Sequence, residues 1–297
     1  MSNFSYKGTN RTKDYFEGWY LRVVDGDNHS YVFIFGVSLY TKDPHSFIQI
    51  IDSTEEKSYY FRFDVSEFFY NKDTIRIKDN IFGVHQLKIS IDPFEIDLNI
   101  EPTVFLKKGI FTECIMGFFK YLPLPTQHEI VFMNSKVGGS IKTKSNEYQI
   151  NGNGYMEKNM GTRFPKKWLW VQANQFEKYN ASFVLAKADL FGKFSGFFCV
   201  LNVDGEEIRF ATYNGFKINY NCDDDDITIT IQKNKIQLIL KVKWAEGHLI
   251  IAPIKRGKME KEIEESLIST LAISLYRDSE LIFHDTAINV GFENLYL

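Results

Sequence analysis

Three cysteines in 297 residues, Cys114, Cys199 and Cys222, show no metal-ligand spacing. An odd, patternless set points to reduced thiols and a cytoplasmic protein. The six histidines have no zinc-ligand spacing either. No nucleophile elbow, phosphate loop or dinucleotide fingerprint is present. The net charge is −3 without a long basic stripe, which argues against a nucleic-acid partner. Residues Met1 to Lys13 are polar and contain no apolar signal region. No apolar run is long enough to span a bilayer. Long helical patterns are also nearly missing. The expectation is a soluble intracellular protein made mostly of strands.

What the chain has in quantity is aromatic side chains, 27 Phe and 16 Tyr. Large rings favour strands and line apolar ligand pockets. Tyr15 to Val24 and Tyr31 to Tyr40 read as a hairpin around Asp25-Gly26-Asp27-Asn28, whose residues tolerate positive φ. Strand-like runs follow at Ser46 to Ile51, Tyr59 to Phe63, Phe68 to Tyr70, Thr74 to Lys78, Gln86 to Ile91 and Glu95 to Ile100. Thr103 to Leu122 is apolar and irregular. Ile130 to Asn134 and Ser140 to Lys144 flank Gly138-Gly139, and Gly196 to Val203 pairs with Glu207 to Tyr213. Ile227 to Ile231 alternates strictly, and Ile236 to Trp244 and His248 to Ile254 follow as strands. Lys258 to Glu265 carries Glu and Lys at helical spacing and reads as one short helix. Period-two patterning broken every ten residues or so predicts antiparallel barrels or sandwiches. The expected fold is mostly β with few short helices. The expected domains are 1–145 and 146–297, each opening on an aromatic strand with glycine and glutamate.

The chemistry concentrates between Gly152 and Lys187. On a strand Tyr155 and Glu157 share a side. In an interior, Glu157 is a desolvated carboxylate and a usable general acid. The competing reading has Arg163 or Lys187 holding it ionised as structural cement. Trp168, Trp170, Gln172 and Asn174 fall on one strand face. Two indoles and two amides suit a pocket with apolar walls and a hydrogen-bonding floor, or a satisfied tryptophan core. Glu17 shares a face with Trp19 and is the second candidate acid, or an edge salt bridge. His128 can shuttle protons but reads as an ordinary histidine, and His284-Asp285 reads as surface.

Several segments occur in a recognisable order: Tyr15-Phe16-Glu17-Gly18-Trp19-Tyr20, Gly154-Tyr155-Met156-Glu157-Lys158-Asn159, Phe164-Pro165, Trp168-Leu169-Trp170-Val171-Gln172-Ala173-Asn174 and Ser182-Phe183. Weaker matches fall at Pro123 to Ser135, Glu264 to Leu267 and Gly291 to Glu293. Together they resemble the tocopherol cyclase family. The resemblance implies two lipocalin-like antiparallel β-barrel domains related to carotenoid hydratases. It implies acid-catalysed chromanol ring closure or hydration of a prenylated quinol or polyene, with no metal or organic cofactor. It casts Glu157 or Glu17 as acid, Trp168 and Trp170 as cation-facing walls, and Tyr20, Tyr155, Gln172 and Asn174 as orienters. Asn159, Arg163 and Lys187 complete the substrate-binding candidates. An apolar substrate further implies transient membrane contact. Met160 stands where the family pattern has tryptophan. The alternatives are a lipocalin-like protein that binds an apolar ligand without chemistry, and a structural or partner-binding role.

Overall fold

A computed structural model describes residues 3–27, 29–107, 117, 124–191, 194–223 and 226–296. The expected runs appear as strands: β1 (Phe16–Asp25), β2 (Ser30–Ser38), β3 (His45–Asp52), β4 (Lys57–Phe63), β5 (Phe68–Tyr70), β6 (Thr74–Ile77), β7 (Asn80–Gly83), β8 (Gln86–Ile91), β9 (Phe94–Val104), β10 (Thr126–Lys142) and β11 (Glu147–Gly161). They form one antiparallel sheet in the order β4-β3-β2-β1-β11-β10-β9-β8-β7-β6-β5. The remainder are β12 (Trp168–Ala173), β13 (Ala181–Phe191), β14 (Phe194–Val203), β15 (Glu206–Ala211), β16 (Lys217–Asp223), β17 (Asp226–Lys233), β18 (Ile236–Lys243), β19 (His248–Pro253), β20 (Met259–Arg277) and β21 (Glu280–Asn294). Their order is β15-β14-β13-β12-β21-β20-β18-β17-β16, with β19 on β20. Both sheets curl in the manner of lipocalin-like half-barrels. The only helical segments among the described residues are three-residue 3₁₀ turns.

Unit 1 comprises Met1–Phe164 with Leu249–Ile263, and unit 2 comprises Pro165–His248 with Glu264–Leu297. Each has its own apolar core. In unit 1 one face of β1 supplies Trp19, Leu21 and Val23, β2 supplies Tyr31, Phe33 and Phe35, and β11 adds Met156. In unit 2 the core takes Leu169, Val171 and Ala173 from β12 and Phe183 and Leu185 from β13. These are alternate positions, as a pleated strand requires.

Two expectations change. Lys258 to Glu265 is not a helix, because Met259–Arg277 is one strand. Glu260, Glu262 and Glu264 are exposed while Ile263 and Glu265 are buried, so the charges alternate at period two. Spacing of two also produces pairs at i and i+4, which mimics the helical signal. Asp285 is not a surface residue: it is fully buried, and its carboxylate accepts from the Lys178 and Tyr179 amides at 3.2 and 3.0 Å. Most of the Thr103 to Leu122 stretch lies outside the described residues.

Gly138-Gly139 does not end a strand, because β10 runs through both. Gly139 has φ +147°, and a Cβ there would sit 2.1 Å from the Asp97 carbonyl oxygen. The glycine therefore permits close backbone approach between β9 and β10. Gly139→Ala is expected to cost about 1–3 kcal/mol in urea unfolding, and more than the same change at Gly18, where a Cβ meets nothing nearer than 3.9 Å.

His45 is held neutral. Nδ1 lies 2.9 Å from the Asp43 carbonyl and Nε2 lies 2.9 Å from the Tyr60 hydroxyl. An N–H at Nδ1 and acceptance at Nε2 fit both contacts. Burial pushes the imidazole below its ordinary value, assisted by Arg62 and opposed by the Asp43 carbonyl and carboxylate. The unfolded chain then binds the proton first as pH falls through about 6.5. Stability contributed by neutral His45 is present above that value and lost below it, by at most about 1.4 kcal/mol per pH unit. His45→Gln is expected to flatten the difference in urea midpoint between pH 5 and pH 7.

Candidate active site

β11 separates the two candidate carboxylates of unit 1. Its even and odd positions face opposite sides, and its register against β1 sets Trp19 beside Lys158 and Tyr20 beside Glu157. Glu17, Trp19 and Lys158 lie on the core side. Tyr20, Tyr155, Glu157 and Asn159 lie on the other side of the same sheet. Tyr20, Tyr155 and Glu157 are nevertheless buried, at 7%, 1% and 5% exposure.

Glu17 is an acceptor throughout its contacts. Lys158 Nζ stands 2.9 Å from Oε1, the Tyr15 hydroxyl donates to Oε2 at 2.5 Å, and the Lys7 amide donates to both oxygens at 3.1 and 2.9 Å. Lys158 also donates to the Ser5 carbonyl at 2.6 Å and lies 3.6 Å from Glu129. Its side chain is fully buried, and burial lowers its pKa against the opposing pull of Glu17 and Glu129. The neighbouring carboxylate drives the Tyr15 phenol upward in addition to the larger effect of burial. This is a buried ion-pair network, the cement reading of Glu17.

Glu157 has different company. The Tyr155 hydroxyl donates to Oε2 at 2.7 Å and Asn159 Nδ2 donates to Oε1 at 3.0 Å. His128 Nε2 is 2.9 Å from Oε2. That distance lies within the range of an ion pair. The contact is a short one between two groups that can exchange a proton, and an ion pair only when the imidazole is protonated. His128 arrives from β10, where it stands opposite Asn159. The sequence marks it as a possible proton shuttle and no more, because nothing in its own neighbourhood names a partner. The signal is cross-strand pairing, which a single strand does not display. Met160 shares the core side with Lys158, away from Glu157, and is buried. Arg163 is exposed.

In unit 2, Trp168, Trp170, Gln172 and Asn174 occupy one buried face, while Leu169, Val171 and Ala173 enter the core. The four therefore face away from the unit's core rather than into it. Trp168 Nε1 donates to Glu293 on β21, and Gln172 Nε2 donates to Asn174 Oδ1 at 2.6 Å. Lys187 stands beside Leu169 on the core side. Its Nζ lies 4.0 Å from Asp189 and 3.8 Å from the centre of the Tyr296 ring, and burial lowers its pKa despite Asp189. Lys187 thus has partners within its own unit. Among the described residues no group of three or more His, Cys, Asp or Glu side chains is placed to hold a metal ion.

Residues 76–292 match the model of the tocopherol cyclase-like family. The chain belongs to that family. The family match covers β10, β11 and β12 and so includes both the Glu157 group and the tryptophan row. Two solved structures share the fold across nearly the whole chain. An AttH protein of Nitrosomonas europaea aligns with TM-score 0.59 and 12% identity, covering 98% of this chain and 94% of its own. Kievitone hydratase of Nectria haematococca aligns with TM-score 0.56 and 10% identity, covering 98% and 93%. No curated protein matches the sequence. No helix among the described residues is long and apolar enough to cross a membrane.

Proposed function

We propose that this protein catalyses proton-initiated addition of an oxygen nucleophile across an alkene of a prenylated substrate, with Glu157 as the acid. The observation that carries the reading is the Tyr155–Glu157–His128 contact on a buried face. A carboxylic acid there gives its proton to one alkene carbon. The substrate's phenol oxygen bonds to the other carbon, which is tertiary and carries the positive charge. The phenol proton returns to the Glu157 carboxylate, directly or through His128, and the net change is isomerisation. With water as nucleophile the same sequence is hydration, the reaction named for one of the proteins that share this fold. Tyr155 and Asn159 fix the orientation of the carboxylate, and burial shields the cation from bulk water. Glu17 is the weaker candidate acid, because the fully buried Lys158 ammonium stands 2.9 Å from it as an ion-pair partner.

A second reading has one observation in its favour. The two donors from Tyr155 and Asn159 favour the ionised carboxylate, which suits a protein that binds an apolar ligand without turnover. A prenylated ligand partitions into bilayers, so transient membrane contact accompanies either reading. The free thiols of Cys199 and Cys222 suit the reducing cytoplasm.

The test is chromatographic separation of chromanol from a phytyl hydroquinone, which are isomers. Wild type and Glu17→Gln, if folded, are expected to form the product. His128→Gln is expected to lower kcat by about 100-fold, the low end of what a positioned proton carrier contributes. Tight binding of the quinol by every variant, with no product from any, supports the binding reading instead.

A further inference from the structure

The core side of unit 1 holds an occupant that belongs to no strand or helix. Residues 3–8 run across the sheet without joining it. Phe4 is fully buried, its ring 5.8 Å from Trp19 and 6.1 Å from Phe82 in a near-parallel stack with the latter. Its carbonyl accepts from Trp19 Nε1 at 2.7 Å. The Ser5 carbonyl accepts from Lys158 Nζ at 2.6 Å, and the Lys7 amide donates to Glu17. Tyr6 packs on Tyr70 and Phe68 with ring centres 4.6 and 5.3 Å apart. An aromatic slot above convergent polar groups is the ordinary make-up of a small-molecule site. Here Phe4 and Ser5 supply the ring and the acceptors.

A second observation points the same way. Glu129 Oε2 is buried and makes no hydrogen bond within the described chain, although it lies 3.6 Å from Lys158 Nζ. Buried acceptors are normally satisfied. The Asn3–Gly8 segment brings carbonyls to the donors of this site but offers Glu129 no hydrogen. A phenol brings both, an oxygen that accepts from Lys158 or Trp19 and a hydrogen for Glu129.

We propose that the slot between Trp19 and Phe82 is a binding site for a small neutral phenol, and that residues 3–8 are its exchangeable internal occupant. The site is on the opposite side of β11 from Glu157 and does not rest on the proposed reaction. The segment lies in no strand; its further anchors are side-chain bonds, Asn3 Nδ2 to the Ile130 carbonyl at 2.8 Å and Ser5 Oγ to the Lys72 carbonyl at 3.0 Å, so its departure unpairs no two strands. Ligand and segment compete for the same ring position, the same two donors and the same ion-pair network.

Hydrogen exchange read by mass spectrometry on the full chain, with and without saturating 1-naphthol, tests this. The expected result is at least tenfold faster exchange in the peptide covering residues 3–8 when naphthol is bound, with β1 and β11 peptides as protected as before. Phe4→Ala weakens the occupant and is expected to bind naphthol at least tenfold more tightly than wild type. Phe4→Leu gives the same direction if Phe4→Ala does not fold. Absence of naphthol binding by wild type overturns the proposal. So does binding that leaves exchange in residues 3–8 unchanged, or exchange there that occurs only together with β1 and β11.

Discussion

Glu157→Gln lowers kcat for ring closure by about 10²- to 10⁴-fold, the contribution of a positioned general acid. The substitution keeps the size and planarity of the side chain. It removes the proton that the alkene must receive, and an amide does not replace that proton at neutral pH. The same change sets an NH₂ against the donors from Tyr155 or Asn159, which sit on opposite oxygens. A mismatch of this kind costs about 1–3 kcal/mol. The melting temperature therefore falls a little while kcat falls a great deal, and quinol binding, measured separately, stays within about tenfold of wild type. Loss of binding in parallel with kcat would make Glu157 a structural residue. The matching control, Glu17→Gln, inverts the pattern: stability falls and, in the folded fraction, turnover persists.

Lys158→Met is the substitution with the largest expected effect on stability, about 3–5 kcal/mol in urea unfolding. It strands Glu17 and Glu129, whose carboxylates face the fully buried ammonium at 2.9 and 3.6 Å. Removing one partner of a buried pair costs more than the pair itself contributes, because the remaining charge keeps its desolvation penalty. Lys158→Met combined with Glu17→Gln is therefore expected to be more stable than Lys158→Met alone. A double-mutant cycle measures the coupling. Additive losses would show that Lys158 and Glu17 do not form the network their geometry describes.

Much of the architecture was legible because alternation is a local property. Tyr155, Glu157 and Asn159 share a side by spacing of two, and their hydrogen bonds run along that side. The direction of each face was not legible. Lysine is among the residues least often buried, yet Lys158 points into the core of unit 1 and Glu157 points away from it. The charge that makes this possible comes from Glu17, on a strand distant in sequence but adjacent in the sheet. The pairing of His128 with Glu157 was equally hidden, because it runs between neighbouring strands. The row Trp168, Trp170, Gln172 and Asn174 was legible as a row. That it turns away from its own core follows from Leu169, Val171 and Ala173, which are the better core formers on the same strand. At Met259 to Glu265, glutamates alternating with Ile263 satisfy both helical and strand patterns, and only pairing decides between them.

The account stands on Glu157 delivering a proton to carbon. Running the reaction in D₂O measures that step directly, since the proton becomes a deuteron fixed in a C–D bond. The wild-type chromanol is expected to carry one deuterium at the former alkene carbon, and Glu157→Gln is expected to form it at least about 100-fold more slowly. Chromanol without deuterium, or the same yield of labelled product from Glu157→Gln, would contradict the assignment.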